Sequence, residues 1–191
     1  PGAVRGPVIV DGDSAILTIR KPGRGTLSIH LAAVDLYSGQ TRWVRTIASV
    51  GRLPWLQVQK RADSTMLHEG VLYRADEIGV VSAHEAATGR PLWVHRVGTE
   101  RQLDIRRPAD QAPPFAISRV IPDGDSIIIH EPGPSGAILR INRSTGMKIE
   151  GQSRPAAALG DPYYIVRVGD HLAAVGRDRT AFVLLDRLAD G

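Results

Sequence analysis

The chain has 191 residues, a length that suits one large domain or two small ones. Its 42% hydrophobic and 23% charged residues are typical of a folded globular protein and exclude a disordered chain. The formal net charge is only +4, and acidic residues interrupt the densest basic group (Arg101, Arg106 and Arg107), so we expect no nucleic-acid surface.

The first predicted elements are short strands joined by turns. A strand at 8–10 leads into the turn DGDS at 11–14, and a strand at 15–20 leads into the turn PGRG at 22–25. Two further strands, with the turn that joins them, contain the phrase AVDLYSGQTRW at 33–43. Turn residues flanked by β-branched and apolar residues predict hairpins, so this stretch is interpreted as a four-stranded antiparallel meander.

The same order of elements recurs along the rest of the chain. The phrase returns as AHEAATGRPLW at 83–93, as RINRSTGMKIE at 140–150 and, incomplete, as LLDRLADG at 184–191. Such self-similarity is typical of repeat architectures, and no stretch shows the 3.6-residue apolar period of a long helix. We predict an all-β chain of four units, at about 1–47, 48–97, 98–150 and 151–191.

Recurring positions of the phrase have structural roles that follow from their chemistry. A glycine closes each loop with a left-handed backbone, and an Asp, Glu or Asn four residues earlier caps the turn. A tryptophan four residues after the glycine is expected to pack against the neighbouring unit. These residues are Asp35, Gly39 and Trp43, then Glu85, Gly89 and Trp93, then Asn142 and Gly146.

The segments between the units are long and irregular, at roughly 48–64, 97–115 and 151–162. Connections of this kind in a repeat protein gather on one rim, and loops commonly carry binding function. We therefore expect a protein partner to bind through these inter-blade loops.

No catalytic or metal site is predicted. The chain has no cysteine, and its six histidines lack metal-binding spacing, although His84 and His95 flank one hairpin. The two DGDS turns suggest Ca²⁺, but Pro22 and Pro134 stand where a calcium loop needs glutamate. No apolar run is long enough to cross a bilayer, and PGAVRGP at the start contains no signal peptide, so we expect no membrane insertion and a mature or cropped chain.

The phrase Ala-x-Asp-x-x-Thr-Gly-x-x-x-Trp resembles the tryptophan-docking repeat of the pyrroloquinoline quinone family of β-propellers. The first copy matches with Ser38 in place of Thr, and the second with Glu85 in place of Asp. The third copy has Asn142 for Asp and Glu150 for Trp. The resemblance implies a β-propeller of about four blades, which we predict to be a segment of a larger propeller of seven or eight blades.

The resemblance implies two functions. The family includes quinoprotein alcohol dehydrogenases, which hold the quinone and Ca²⁺ over a central channel, and an outer-membrane assembly lipoprotein. The ligand set of the dehydrogenases matches no motif here, so no catalytic residue and no cofactor are carried over. We expect a non-catalytic interaction scaffold or sensor, periplasmic or extracellular, which further blades or another domain can adjoin. The alternative is part of a quinone- and calcium-dependent alcohol or sugar dehydrogenase.

Overall fold

The structure is a computed structural model that describes residues 2–51, 64–76, 80–96, 120–130, 137–149, 154–155, 164–175 and 180–184. Every regular element in these ranges is a β-strand, which confirms the predicted all-β class. None of the described ranges forms a helix with the length and apolar content that a bilayer crossing requires.

The strands form four antiparallel sheets in chain order. Consecutive strands are hydrogen-bonded neighbours throughout, so each sheet is a meander with no crossover. The first sheet contains β1 (Ala3–Asp11), β2 (Ser14–Pro22), β3 (Thr26–Asp35) and β4 (Thr41–Gly51). The second contains β5 (Ser64–His68), β6 (Val71–Ala75), β7 (Val80–Glu85) and β8 (Pro91–Arg96). The third contains β9 (Val120–Asp123), β10 (Ser126–His130), β11 (Ala137–Asn142) and β12 (Arg154–Pro155), and the fourth contains β13 (Tyr164–Val168), β14 (His171–Val175) and β15 (Thr180–Leu184).

The outer strand of the third sheet is formed differently from those of the first two sheets. After its phrase turn, a single bridge pairs Ile141 with Lys148, and β12 then pairs with the start of β11. The fourth sheet has three strands within the described residues. The predicted chain limits of the units stay predictions.

The sheets stand in a row with their first strands side by side. β1 contacts β5, and β5 contacts β9. Because side chains alternate along a strand, each sheet turns one face to the sheet before it and the other to the sheet after it. Within the described residues the row does not close into a ring, as expected of a propeller segment.

The core lies between the sheets. One buried cluster joins the first two sheets, where Ile16 and Leu31 pack with Leu72. Another joins the second and third sheets, where Tyr73 and Val81 pack with Ile127. Burial between neighbouring sheets therefore supplies most of the hydrophobic stabilisation of each unit.

Candidate functional site

The turns inside the repeated phrase, called phrase turns below, share one hydrogen-bond pattern. Asp35 Oδ1 accepts hydrogen bonds from the backbone N–H of Tyr37 and Ser38, at 3.1 and 2.8 Å. In the third sheet Asn142 Oδ1 accepts from the N–H of Ser144 and Thr145, both at 3.0 Å. Each side chain satisfies turn amides that the ladder leaves unpaired, as such residues do in turns.

Glu85 occupies the same position in the second sheet. Its carboxylate accepts a hydrogen bond from the Thr88 hydroxyl, which lowers the pKa of Glu85. The hydroxyl oxygen of Thr88 accepts from the N–H of Arg90 at 3.2 Å, as Ser38 and Thr145 do in their own turns. The polar atoms of the phrase are therefore engaged in building the turns.

A network of charged side chains lies beside the turn of the first copy of the phrase. Arg42 Nη2 lies 2.6 Å from Asp13 Oδ2 and 2.5 Å from Asp35 Oδ2. The pKa of Asp35 is far below its usual range, because it accepts from the N–H of Ser38 and pairs with Arg42. Hydrogen bonding to Arg42 lowers the pKa of Asp13 as well. Two carboxylates thus share one guanidinium at the edge of this turn.

Trp43 of the first sheet docks on the phrase turn of the second. It is 7% exposed and packs with Leu72 and Ala86. A Cβ added at Gly89 would lie 2.5 Å from Cε3 of the indole and 2.9 Å from Cγ of Arg45. Gly89 has φ +68° and is buried, so this position needs glycine for its backbone and for the close indole.

Trp93 repeats the arrangement between the second and third sheets. A Cβ at Gly146 would lie 2.5 Å from Cδ2 of Trp93 and 2.5 Å from Cδ2 of His95. The indole Nε1–H donates to the Arg143 carbonyl at 2.9 Å, and His95 Nε2 lies 3.2 Å from the Thr145 carbonyl. Both docking sites contain a turn glycine, and at Gly146 the carbonyls beside the glycine also contact the docked side chains.

The corresponding site of the first sheet is open. Gly39 has φ +70° like its counterparts, but it is exposed, and no heavy atom of the described residues would lie within 4 Å of an added Cβ. Leu36, at the position of buried Ala86, is 48% exposed. Val8 and Val10 on β1 are 53% and 59% exposed. We call Val8, Val10, Leu36 and Gly39 the open face.

The alignment of the units shows that these residues share one side of the sheet. Val8 and Val10 correspond to Thr65 and Leu67, because they lie three residues and one residue before the last residue of the first strand of their sheets, Asp11 and His68. Thr65 is buried, and Leu67 packs against the cluster that joins the first two sheets. The open face of the first sheet therefore corresponds to the side of the second sheet that packs against the sheet before it. This face was not predicted from the sequence, although alignment of the units on their glycines places Val8 and Val10 at the positions of Thr65 and Leu67.

The structure also gives positions for other residues that the sequence analysis considered as binding or metal sites. His84 and His95 do not come together, because His84 pairs with Pro91 across the hairpin and His95 pairs with Val81. The DGDS segments form hairpin turns, with Gly12 and Gly124 at positive φ. The inter-blade loops lie outside the described residues except for 48–51, 64 and 154–155, as do Glu150 and the fourth copy of the phrase after residue 184.

A set of buried polar side chains lies between the first two sheets and was not predicted from the sequence. Arg74 is fully buried, and its Nη1 lies 2.7 Å from Asp76 Oδ2. Thr18 and Thr65 are buried with their hydroxyl oxygens 3.5 Å apart. Ser82 and His84 are buried beside them. The alternating strand patterns predict faces, but they do not show which face a second sheet will cover.

The described residues do not fit a quinone or calcium site. Both described tryptophans are buried against turn glycines, so neither offers a free ring face for stacking. The Asp, Glu and Asn oxygens of the phrase are bonded to their own turns. Within the described ranges no three His, Asp or Glu side chains converge as metal ligands would.

Comparison with known proteins shows the fold. No protein-family model and no curated protein matches the chain. Among solved structures, BamB from Moraxella catarrhalis is 16% identical with a TM-score of 0.61, over 96% of this chain and 50% of that one. The computationally designed Ika4 protein is 11% identical with a TM-score of 0.54, over 96% of this chain and 91% of that one. A quinohemoprotein alcohol dehydrogenase from Comamonas testosteroni is 17% identical with a TM-score of 0.47, over 76% of this chain and 20% of that one.

The similarities to BamB and to the Ika4 protein confirm the predicted β-propeller fold. The chain spans about half the length of BamB and about a fifth of the alcohol dehydrogenase. At such low identity the likeness concerns the fold alone, and function is argued from the chain's own residues.

Proposed function

We propose that the chain is a non-catalytic β-propeller domain that acts as a protein-interaction scaffold or sensor in the bacterial cell envelope. The observation that carries the proposal is the open face. Val8, Val10 and Leu36 are each about half exposed or more there. They lie on the side of the first sheet that corresponds to the packed side of the second sheet. Contiguous exposed apolar side chains mark interaction sites.

The chemistry of the phrase supports the same proposal. The residues that resemble the family repeat are bonded within their own turns or are packed between sheets. Their function is to hold the units together, which suits a rigid support for binding surfaces. The envelope location rests on the family resemblance, and fractionation of the host cells would test it.

The first experiment separates this proposal from the dehydrogenase alternative. Pyrroloquinoline quinone and Ca²⁺ are added to the purified chain, and the absorption of bound quinone is measured with dye-coupled oxidation of alcohols and sugars. We expect no saturable quinone band and no oxidation. A stoichiometric bound quinone that supports oxidation would overturn the non-catalytic assignment.

The second experiment looks for the partner directly. A photo-crosslinking residue is placed by Val10→p-benzoylphenylalanine and, as a matched control, by Met147→p-benzoylphenylalanine, since Met147 is 60% exposed but lies just after the phrase turn that follows β11. In host cells we expect a discrete protein adduct from position 10 that is missing from position 147. Equal adducts from both positions, or none from position 10, would contradict binding at the open face.

A further inference from the structure

We infer that Asp11 is a site of spontaneous covalent modification, at which its bond to Gly12 converts from aspartyl to isoaspartyl through a cyclic imide. The segment DGDS occurs twice, at 11–14 and 123–126, and each copy forms a two-residue hairpin turn with a left-handed glycine. The two copies share their local sequence and the φ values of their glycines, but their aspartates have different neighbours. The inference is independent of the proposed binding function.

The reaction needs only the aspartate and the amide that follows it. The Gly12 amide nitrogen attacks Cγ of Asp11, a C–N bond forms, and the amide proton and the carboxyl hydroxyl leave as water. Water then opens the imide at either carbonyl and gives aspartate or isoaspartate, so no atoms are gained or lost overall. Glycine favours ring closure because it has no Cβ to obstruct the attack. Gly12 is exposed, and its N–H donates to no backbone group among the described residues.

Two arginines hold the carboxylate of Asp123 in the other copy. Arg140 Nη2 of β11 pairs with Asp123 Oδ2, and Arg167 Nη1 of the fourth sheet lies 3.5 Å from Asp123 Oδ1. The Ser126 hydroxyl donates to the Asp123 carbonyl at 2.8 Å and accepts from Arg140 Nε at 3.1 Å. Ring closure at this turn requires the carboxylate to leave both cations, and charge-assisted contacts of this kind are strong.

The carboxylate of Asp11 lacks both cations. Ala33 stands at the position of Arg140, since each lies six residues before the glycine of its phrase. Leu67 stands at the position of Arg167, since each is the next-to-last residue of the first strand of its sheet. Within the ranges that the structure describes, the Asp11 carboxylate has no hydrogen bond or ion pair. Asp11 is therefore held only by the hairpin itself.

The modification acts on β1. Isoaspartate places an extra carbon in the main chain where Asp11 pairs with Ser14. Arg42 holds the other side of the turn, at 2.6 Å from Asp13 Oδ2 and 2.8 Å from the Ser14 hydroxyl, so the displacement falls on β1. Ile9 of β1 packs against the cluster that joins the first two sheets, and the modified hairpin loses part of this burial.

The test compares the two turns within one molecule. The purified 191-residue chain is kept at mildly acidic pH in water enriched in heavy oxygen, and isoaspartate is quantified by peptide mapping with electron-transfer fragmentation. We expect isoaspartate that contains heavy oxygen to accumulate at Asp11 at least about tenfold faster than at Asp123, which must first leave its charged partners. The peptide map separates both sites from Asp190–Gly191, which lies outside the described residues.

Three controls separate the effect of the neighbours from that of the local sequence. In the chain unfolded by guanidinium chloride, the two rates should agree within about twofold, because contacts of the folded state are lost. Arg140→Met keeps a long side chain without the cation and should raise the rate at Asp123, with Asp11 in the same variant as the reference for general unfolding. Asp11→Glu keeps the charge but closes a six-membered imide far more slowly. After incubation this variant should keep its urea midpoint, whereas the midpoint of the unaltered chain should fall.

Three results would overturn the inference. One is equal rates at Asp11 and Asp123 in the folded chain. Another is the absence of isoaspartate at Asp11 in the folded chain when the unfolded chain forms it, because the hairpin would then protect both turns. The third is an unchanged rate at Asp123 in the Arg140→Met variant, which would show that the cations do not cause the difference.

Discussion

The interface between the first and second sheets and the interface between the second and third sheets have the same tryptophan–glycine contact. The other buried side chains of these two interfaces differ in polarity. Between the first and second sheets, the buried positions include polar side chains at Thr18, Thr65, Arg74, Ser82 and His84. At the corresponding positions between the second and third sheets, the buried residues are all apolar: Ala75, Val120, Ile129, Leu139 and Ile141. The repeated contact thus fixes how the sheets meet, while the remaining positions vary freely in chemistry.

The difference has an energetic meaning. At the apolar interface, burial itself supplies the stabilisation. At the polar one, each buried group needs a partner, and within the described residues Ser82 Oγ and His84 Nε2 have no hydrogen bond. Buried polar groups stabilise less than apolar residues of similar volume. We therefore expect the first sheet to separate from the row more readily than the second and third sheets separate from each other.

The largest expected effect tests the contact that both interfaces share. Trp93→Ala removes a buried indole and should lower the free energy of unfolding by about 3–5 kcal/mol in urea denaturation. Trp43→Ala should cost about 1 kcal/mol less, because no indole hydrogen bond like that of Trp93 to Arg143 is found for Trp43 among the described residues. Trp93→Phe is the control, since it keeps a ring but loses the N–H donor. Equal costs for the two alanine variants would remove this distinction.

The next effect compares an occupied docking site with the open one. Gly89→Ala places a Cβ 2.5 Å from Trp43 and also strains a backbone at φ +68°, whereas Gly39→Ala brings only the backbone strain at φ +70°. Overpacking costs about 1–3 kcal/mol, so Gly89→Ala should be the more destabilising variant by that amount in thermal or urea unfolding. If both variants lost the same stability, the indole would not be held at Gly89 as the structure shows.

A smaller effect concerns the polar interface alone. Thr65→Val leaves the Thr18 hydroxyl buried without its neighbour and should cost about 1–2 kcal/mol. The double change Thr18→Val with Thr65→Val converts this point to the apolar character of the other interface and should restore most of the loss. A double-mutant cycle by urea denaturation measures the coupling. Additive losses from the two changes would show that the hydroxyls do not interact.

The last effect is the dependence of stability on pH. Burial lowers the pKa of His84 below its usual 6.5, and the positive charge of Arg74 lowers it further. As pH falls below 6.5, the unfolded chain binds a proton that the folded chain does not, so stability decreases until the folded pKa is reached. His84→Leu should make the free energy of unfolding less dependent on pH between 7.5 and 5.5. An unchanged pH dependence would contradict the assignment.

The turns and the repeat could be predicted from the sequence because their causes are local. Gly39 and Asp35 act within a few residues of each other, so glycine and Asx preferences suffice. The polarity of an interface is not local. Arg74 lies in the strand VLYRA, whose pattern predicts a strand, but the sheet that covers this residue is contributed by residues about 50 positions away.

The open docking site illustrates the same limit. The turn around Gly39 has the sequence features of the turn around Gly89, and the two backbones have nearly equal φ values. Among the described residues, what distinguishes them is an indole from a different sheet, which contacts Gly89 and has no counterpart at Gly39. The sequence therefore predicts the turn, whereas the structure shows at which of the described turns an indole packs.

The tryptophan–glycine contact also has a direction, since one sheet supplies the ring and the following sheet supplies the turn. This head-to-tail contact has the same form at both described joints of the row. Duplication or deletion of one whole unit, such as the 50-residue step from Gly39 to Gly89, would therefore keep a tryptophan-bearing strand opposite a turn glycine at each joint, while the other buried positions would have to match anew. The number of units can thus change during evolution in whole-unit steps with the shared contact retained, and adaptation is confined to the other buried positions of the new joint.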